Sequence, residues 1–494
     1  MSVDQPVVQT AAGALAGTWR GESAAFLGIP FAQAPVAELR FAAPVPVEPW
    51  DGVRDATEPG PTPQRRPFGA VTTIPEPSVP GDATLNLNVF TPVPGQPDAK
   101  LPVLVWIHGG GFFAGSPSSP WYDGAAYNRD GVVTVSLSYR LGFDGFGWIA
   151  DAPTNRGILD MIAGLEWVRA NIAAFGGDPS QVTISGQSAG GAAVLTLLSA
   201  PRAQHLFARV IAHSGAALTL SYDKAEAIGR GFAARAGVEP TRAGWSALSE
   251  DGILDLQQEL MAMDVTPPAS AADFVRGTLS TGGVSLAFVP LVGDDVVPFT
   301  LADAIRGGVG AGKDLLIGTV AHEFSLSNLP MREAWADVDP VAALSEGGLS
   351  VEAARAYVAG QPELTWTADL CAQLITDLTF RLPSVTCADA RPDRTWVFDF
   401  RWPSPMMGLS FHCLDLPFAW DLLDADGVGA SAGPRPPQEL AASMHAAWVR
   451  FIASGDPGWP SWDGHNAKVL GGPQADHYAV ARLLAPADAG VAVG

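Results

Sequence analysis

Residues 182–191 read Val-Thr-Ile-Ser-Gly-Gln-Ser-Ala-Gly-Gly, a β-prone run that passes through Gly186-Gln187-Ser188-Ala189-Gly190 directly into an Ala/Leu-rich helical stretch. A strand that turns this sharply into a helix must hold its middle residue in a strained conformation, and glycines on either side remove side chains that would collide there. The pattern predicts a nucleophile elbow. Ser188 is then raised above the sheet edge at a helix N-terminus, where unpaired backbone N–H groups favour developing negative charge. With 54 glycines in the chain, the same spacing recurs at Gly429-Ala430-Ser431-Ala432-Gly433. No apolar strand precedes that second match and no helical run follows it, so Ser431 reads as loop.

Around the elbow, apolar runs at Leu101–Ile107, Val132–Leu137, Val182–Ser185, Leu315–Gly318 and Thr395–Phe400 alternate with amphipathic segments such as Ile158–Phe175 and Ala441–Ala453. That alternation predicts an α/β fold: a mostly parallel sheet covered by helices. Large α/β folds absorb loop insertions, so all 494 residues are expected to form one domain. Residues 217–285 and 326–390 carry helical patterns without a clear strand and read as cap-like insertions, with plain packing helices as the other reading. The Pro-rich stretches 59–80 and 433–437 read as surface loops.

Hydrophobic residues make up 47% of the chain and charged ones 16%, which fits a folded protein with a large core. Net charge is −22, with lysine only at 100, 224, 313 and 468, so the surface is expected to repel nucleic acid and anionic membranes. No apolar run reaches the ~18 residues that cross a bilayer. The N-terminal Met-Ser-Val-Asp-Gln-Pro has neither the basic nor the apolar part of a signal peptide, giving a cytoplasmic expectation. Cys371, Cys387 and Cys413 show no CxxC spacing and read as buried thiols, and no metal or organic cofactor is expected.

A serine hydroxyl needs a base to take its proton and a carboxylate to orient that base. In folds with such an elbow the chain order is serine, acid, histidine. His445 falls within the amphipathic helix, and His465 and His477 fall in a polar C-terminal stretch. His412 follows a strand and a loop, which is where an imidazole reaches the sheet edge. Glu323 follows the strand Leu315–Gly318 by a short loop, with His322 as a loop neighbour; Asp294 and Asp295 are the competing carboxylates. The run His108-Gly109-Gly110-Gly111-Phe112 after a strand lets backbone N–H groups approach a developing oxyanion, so Gly110, Gly111 and Ala189 are the expected donors. A phosphate-binding loop is the rival reading, but no Gly-Lys-Ser/Thr follows. Phe112, Phe113, Trp121 and Trp148 are candidates for lining a substrate pocket, or else core.

With these elements in order, the chain resembles the type-B carboxylesterase/lipase family, the cholinesterase-like α/β hydrolases, in its bacterial para-nitrobenzyl-esterase-like branch. The resemblance runs from Phe26-Leu27-Gly28-Ile29-Pro30-Phe31-Ala32 and Leu39-Arg40-Phe41 through Leu87-Asn88-Val89-Phe90 and Tyr139-Arg140-Leu141-Gly142-Phe143. It is densest from Asn155 to Gly191, with Trp167–Ile172 and Phe175-Gly176-Gly177-Asp178-Pro179, and continues at Asp377–Pro383 and Ser454-Gly455-Asp456-Pro457. It implies an α/β-hydrolase fold with Ser188 as nucleophile, Glu323 as acid and His412 as base. The chain departs from the family at Gln187, where glutamate is usual, and at Thr84, where a cysteine often forms an early disulfide. The expected activity is hydrolysis of short- to medium-chain carboxylic esters through an acyl-serine. The same residues also suit an amide, carbamate or carbonate, and a non-catalytic binding protein is the reading from a different class. The expected partner is a small-molecule ester, and the sequence leaves the oligomeric state open.

Overall fold

The computed structural model describes residues 5–66, 72–263, 268–473 and 476–485. Its centre is a ten-stranded sheet. In spatial order the strands are Lys468–Leu470, Thr395–Phe400, Asp314–Val320, Arg209–His213, Gly177–Gln187, Leu101–Ile107, Val133–Leu137, Asn86–Thr91, Ser23–Pro30 and Thr18–Arg20. From Lys468–Leu470 to Val133–Leu137 every neighbouring pair is parallel, and the remaining pairs are antiparallel. This is the α/β-hydrolase arrangement.

Leu101–Ile107 and Asp314–Val320 are almost wholly buried, because helices cover both faces of the sheet; this is why they read as continuous apolar runs rather than alternating ones. The helices Arg156–Asn171 and Gln438–Ser454 supply parts of that cover, one residue set packing in each of the two main core clusters. The expected strands and helices are found at these places, with ends shifted by a few residues. The strand leading to the elbow is longer than expected, running Gly177–Gln187.

Residues 217–285 hold the helices Tyr222–Ala236, Arg242–Ser246, Glu250–Met263 and Ala271–Thr281, together with a two-residue strand, Leu220–Ser221, paired to Leu291–Val292. Residues 326–390 are helical for most of their length and include the π-helix Asp377–Arg381. Of the Pro-rich stretch 59–80, residues 67–71 lie outside the described residues.

One loop reading is corrected and another is sharpened. Ser431 is buried in a one-turn helix, Val428–Ala432, bounded by Gly427 and Gly433 at positive φ; Val428 and Ala432 anchor that turn in the core, which local composition does not reveal. His322 forms a parallel bridge with Phe411, so the loops after two neighbouring strands are paired to each other. Of the two histidines in the polar C-terminal stretch, His477 opens the helix His477–Arg482 and is buried, whereas His465 lies exposed. All three cysteines are free and buried.

Candidate functional site

Ser188 sits between strand and helix at φ 58° and ψ −120°, a conformation that costs a non-glycine residue on the order of 1–3 kcal/mol and persists only where its surroundings enforce it. The surroundings do so here. Its N–H donates to the carbonyl of His213 at 2.9 Å, and its own carbonyl accepts from Ala192 at 2.8 Å. A Cβ on Gly190 would fall 2.0 Å from the Ile107 carbonyl oxygen, so the helix can approach the sheet this closely only with glycine there.

The loop after Leu101–Ile107 lies against the elbow. A Cβ on Gly109 would come within 3.2 Å of Ser188 Cβ, and one on Gly110 would fall 2.2 Å from the Ala114 carbonyl. Gly110 has φ 110°, and its carbonyl accepts from Phe113 and Ala114, which turns the loop back on itself beside the serine.

His412 and Glu323 arrive from the loops that follow the strands Thr395–Phe400 and Asp314–Val320. The bridge between His322 and Phe411, and the His412 N–H donating to the Glu323 carbonyl at 3.2 Å, align these loops. His412 Nε2 lies 2.8 Å from Ser188 Oγ, and His412 Nδ1 lies 2.5 Å from Glu323 Oε2. Glu323 is buried, and its other oxygen accepts from the Val320 N–H at 3.1 Å. Both sides of the carboxylate are therefore held. The rings of Phe324 and Phe380 lie 5.0 and 5.4 Å from the imidazole, limiting its rotation, and Gln187 Nε2 lies 3.1 Å from His412 Nε2.

The competing carboxylates are elsewhere. Asp294 accepts from Thr154 and Asn155, and Asp295 is exposed. His445 is buried against Ala419 and Asp130. Burial pushes the Cys413 thiol, next to His412, well above its ordinary range, with the carboxylates of Asp415 and Glu323 adding to the effect, so it stays protonated and unreactive.

The aromatic candidates divide. Phe113 lines a cavity of about 430 Å³ together with Arg40, Ile253, Leu254, Gln257 and Met261. Phe112 and Trp121 are fully buried, Phe112 against Phe146 and Trp121 with its indole N–H donating to the Asp426 carbonyl, and neither lines the cavity beside Phe113. Trp148 is buried beneath the Arg230 guanidinium. Ser188, Glu323 and His412 do not line this cavity; Phe113, in the turn that Gly110 begins, is its link to them.

Local sequence reading missed the two rings that flank His412. Phe324 adjoins Glu323 and was within reach of such a reading, whereas Phe380 comes from the π-helix 57 positions after Glu323, in a stretch that carries the resemblance without marking a neighbour of His412. Among the described residues, no cluster of three or more histidine, cysteine or acidic side chains forms a metal ligand set, and no helix is long and apolar enough to cross a membrane.

Residues 4–470 match the model of the Carboxylesterase family. The chain belongs to that family. It is 33% identical over 94% of both chains to the para-nitrobenzyl esterase of Bacillus subtilis (strain 168), and 31% identical to the liver carboxylesterase of Sus scrofa over 93% of this chain and 88% of that one. The solved carboxylesterase of Geobacillus stearothermophilus superposes with a TM-score of 0.81 at 32% identity, covering 97% of this chain and all of the other. As a member of this family, the carboxylesterase described here is a carboxylic ester hydrolase.

Proposed function

We propose that this carboxylesterase cleaves short- to medium-chain esters through an acyl enzyme on Ser188. The observation that carries the reading is the continuous hydrogen-bonded chain Ser188–His412–Glu323, at 2.8 and 2.5 Å, on a serine whose backbone is strained toward the sheet edge.

His412 Nε2 takes the Ser188 proton as Oγ attacks the ester carbonyl, and Glu323 keeps the other proton on Nδ1, so that the free lone pair faces the serine. The tetrahedral oxyanion accepts hydrogen bonds from the N–H groups of Gly110, Gly111 and Ala189, the last at the start of the helix Ala189–Ser199. His412 then protonates the departing alcohol. Water, deprotonated by the same imidazole, attacks the acyl-serine and releases the acid.

Two segments complete the site in this reading. The helix Glu250–Met263, within 217–285, walls the cavity beside Phe113, and Phe380, within 326–390, braces the imidazole. Both insertions act as caps. In this reading the cavity, with apolar Ile253, Leu254 and Met261 beside polar Gln257 and Arg40, receives one arm of the ester, and the chain-length series below measures that arm.

The test is hydrolysis of p-nitrophenyl esters from acetyl to palmitoyl by the wild type and by Ser188→Ala. Activity lost in a folded mutant, with an optimum at short or medium acyl length, supports the reading. Turnover surviving in Ser188→Ala removes the nucleophile assignment, and an optimum at palmitoyl removes the chain-length assignment.

A further inference from the structure

Behind the serine and its base lies a second buried histidine–carboxylate pair, which the reaction above does not use. His213 ends the strand Arg209–His213; its Nδ1 lies 2.6 Å from Asp415 Oδ2, and the two side chains are 1% and 0% exposed. On the other side of the ring, the indole N–H of Trp448 donates to His213 Nε2 at 2.9 Å. An indole nitrogen donates and never accepts, so Nε2 must present its lone pair and Nδ1 must carry the proton that Asp415 receives. The tautomer is set by its two neighbours. Trp106 and Phe398 close around the ring at 6.1 and 5.5 Å.

Two connections tie this pair to the reacting groups. The carbonyl of His213 holds the Ser188 N–H, and Asp415 stands three residues beyond His412 on the same loop. Ser188 and Cys413, one at each end of the connection, both have positive φ, at 58° and 74°, so both need neighbours that hold them in place. The chain Ser188 backbone, His213, Asp415 and the His412 loop spans 202 positions of sequence between His213 and Asp415.

We propose that His213 and Asp415 are positioning residues that fix the separation of Ser188 Oγ and His412 Nε2, by fastening the strand end that holds the serine to the loop that carries the base. The proposal rests on the reading of Ser188 and His412 as nucleophile and base. Trp448 serves it by holding the His213 proton on the side of Asp415. Glutamine can replace His213 in this role, since its amide donates from nitrogen to Asp415 and accepts at oxygen from Trp448. Leucine can do neither.

The experiment measures kcat, KM and melting temperature for His213→Gln, His213→Leu and Asp415→Ala, with reacting sites counted by a p-nitrophenyl phosphonate titrant. Misplacement of reacting atoms by a fraction of an ångström lowers turnover and leaves binding nearly intact. His213→Leu and Asp415→Ala are expected to lose about 10- to 100-fold in kcat per titrated site with KM within about twofold, and His213→Gln to recover to within about fivefold of wild type. Wild-type kcat per titrated site in Asp415→Ala, with only the melting temperature lowered, overturns the proposal by showing a purely structural pair. A His213→Gln enzyme as slow as Asp415→Ala overturns it as well. If His213→Leu does not fold, these two variants decide alone. Ser188→Ala tests the underlying reading separately, because activity surviving there strikes the nucleophile whatever the His213 variants show.

Discussion

Three of this molecule's histidine–carboxylate pairs place an imidazole nitrogen within hydrogen-bond reach of a carboxylate in sharply different settings. His412–Glu323 has a buried acid and an imidazole 18% exposed; His213–Asp415 is closed on all sides; His465–Asp476 lies on the surface, with the imidazole 74% exposed. The geometry differs little, from 2.5 to 2.8 Å. What separates them is the third partner. His412 faces a serine hydroxyl that can lose its proton, His213 faces an indole that cannot exchange roles with it, and among the described residues no third partner is bonded to the His465 ring. A histidine–carboxylate pair is therefore chemically uncommitted until the other ring nitrogen is assigned a neighbour.

The strongest test of that contrast is His412→Ala, expected to lower kcat by about four to six orders of magnitude while the protein stays folded, as judged by circular dichroism and active-site content. Glu323→Gln comes next. Its amide cannot hold the Nδ1–H tautomer as the carboxylate does, so kcat is expected to fall about 10³- to 10⁴-fold with KM little changed. Gly110→Ala leaves both histidine pairs untouched and forces a Cβ to within 2.2 Å of the Ala114 carbonyl at φ 110°. Losing the alignment of one oxyanion donor costs about 10²- to 10³-fold in kcat, so an unimpaired Gly110→Ala enzyme would remove this loop from the mechanism.

Two further histidines near the site have no carboxylate hydrogen-bonded to the ring, and burial is the largest influence on both. Burial lowers His108 to about 4, and burial with the neighbouring Arg381 and His477 lowers His322 to about 4. Between 6.5 and 4 the unfolded chain binds protons at these positions that the folded chain refuses. Their stability contribution is thus complete above about pH 6.5 and drains away as pH falls toward 4, by about 3 kcal/mol for each at the limit. Urea unfolding at pH 7 and pH 4.5 should show this loss in the wild type and roughly half of the slope in His322→Gln, since His108 still titrates. An identical slope in the two proteins would locate the pH sensitivity elsewhere. The smallest effect belongs to the solvated pair: His465→Asn is expected to change stability by less than about 1 kcal/mol and kcat not at all, checked by the same unfolding and turnover assays.

The proposed site was legible wherever its signal is local. A β-prone run, glycines at two fixed offsets and a helical continuation announce Ser188, and the close backbone approach that only glycine permits is visible at Gly190 and, in the neighbouring loop, at Gly110. Chain order then brought out Glu323 and His412, which the structure places in one hydrogen-bonded line with the serine. The second match to the elbow pattern was set aside for lack of a strand, but its residues form a one-turn helix rather than a loop, anchored in the core at Val428, Ser431 and Ala432 by distant aromatic packing that the local sequence does not reveal. Phe112 and Trp121 show the converse: large rings near the glycine-rich loop suggest a pocket, whereas Phe112 in the turn and Trp121 in the 3-10 helix Pro120–Tyr122 are both packed in the core, and Phe113 lies on the cavity.

By itself the sequence determined the class of sheet, the strained turn and the identity of the three polar side chains, since strand propensity, glycine sterics and chain order act over a few residues or along one topology. Only the tertiary structure decided which ring nitrogen faces which partner, that Phe380 closes on His412, and that His213 and Asp415 join behind them. Those choices depend on atoms brought together from across the chain and on the exclusion of water around them, and neither quantity exists until the sheet and its helices have packed.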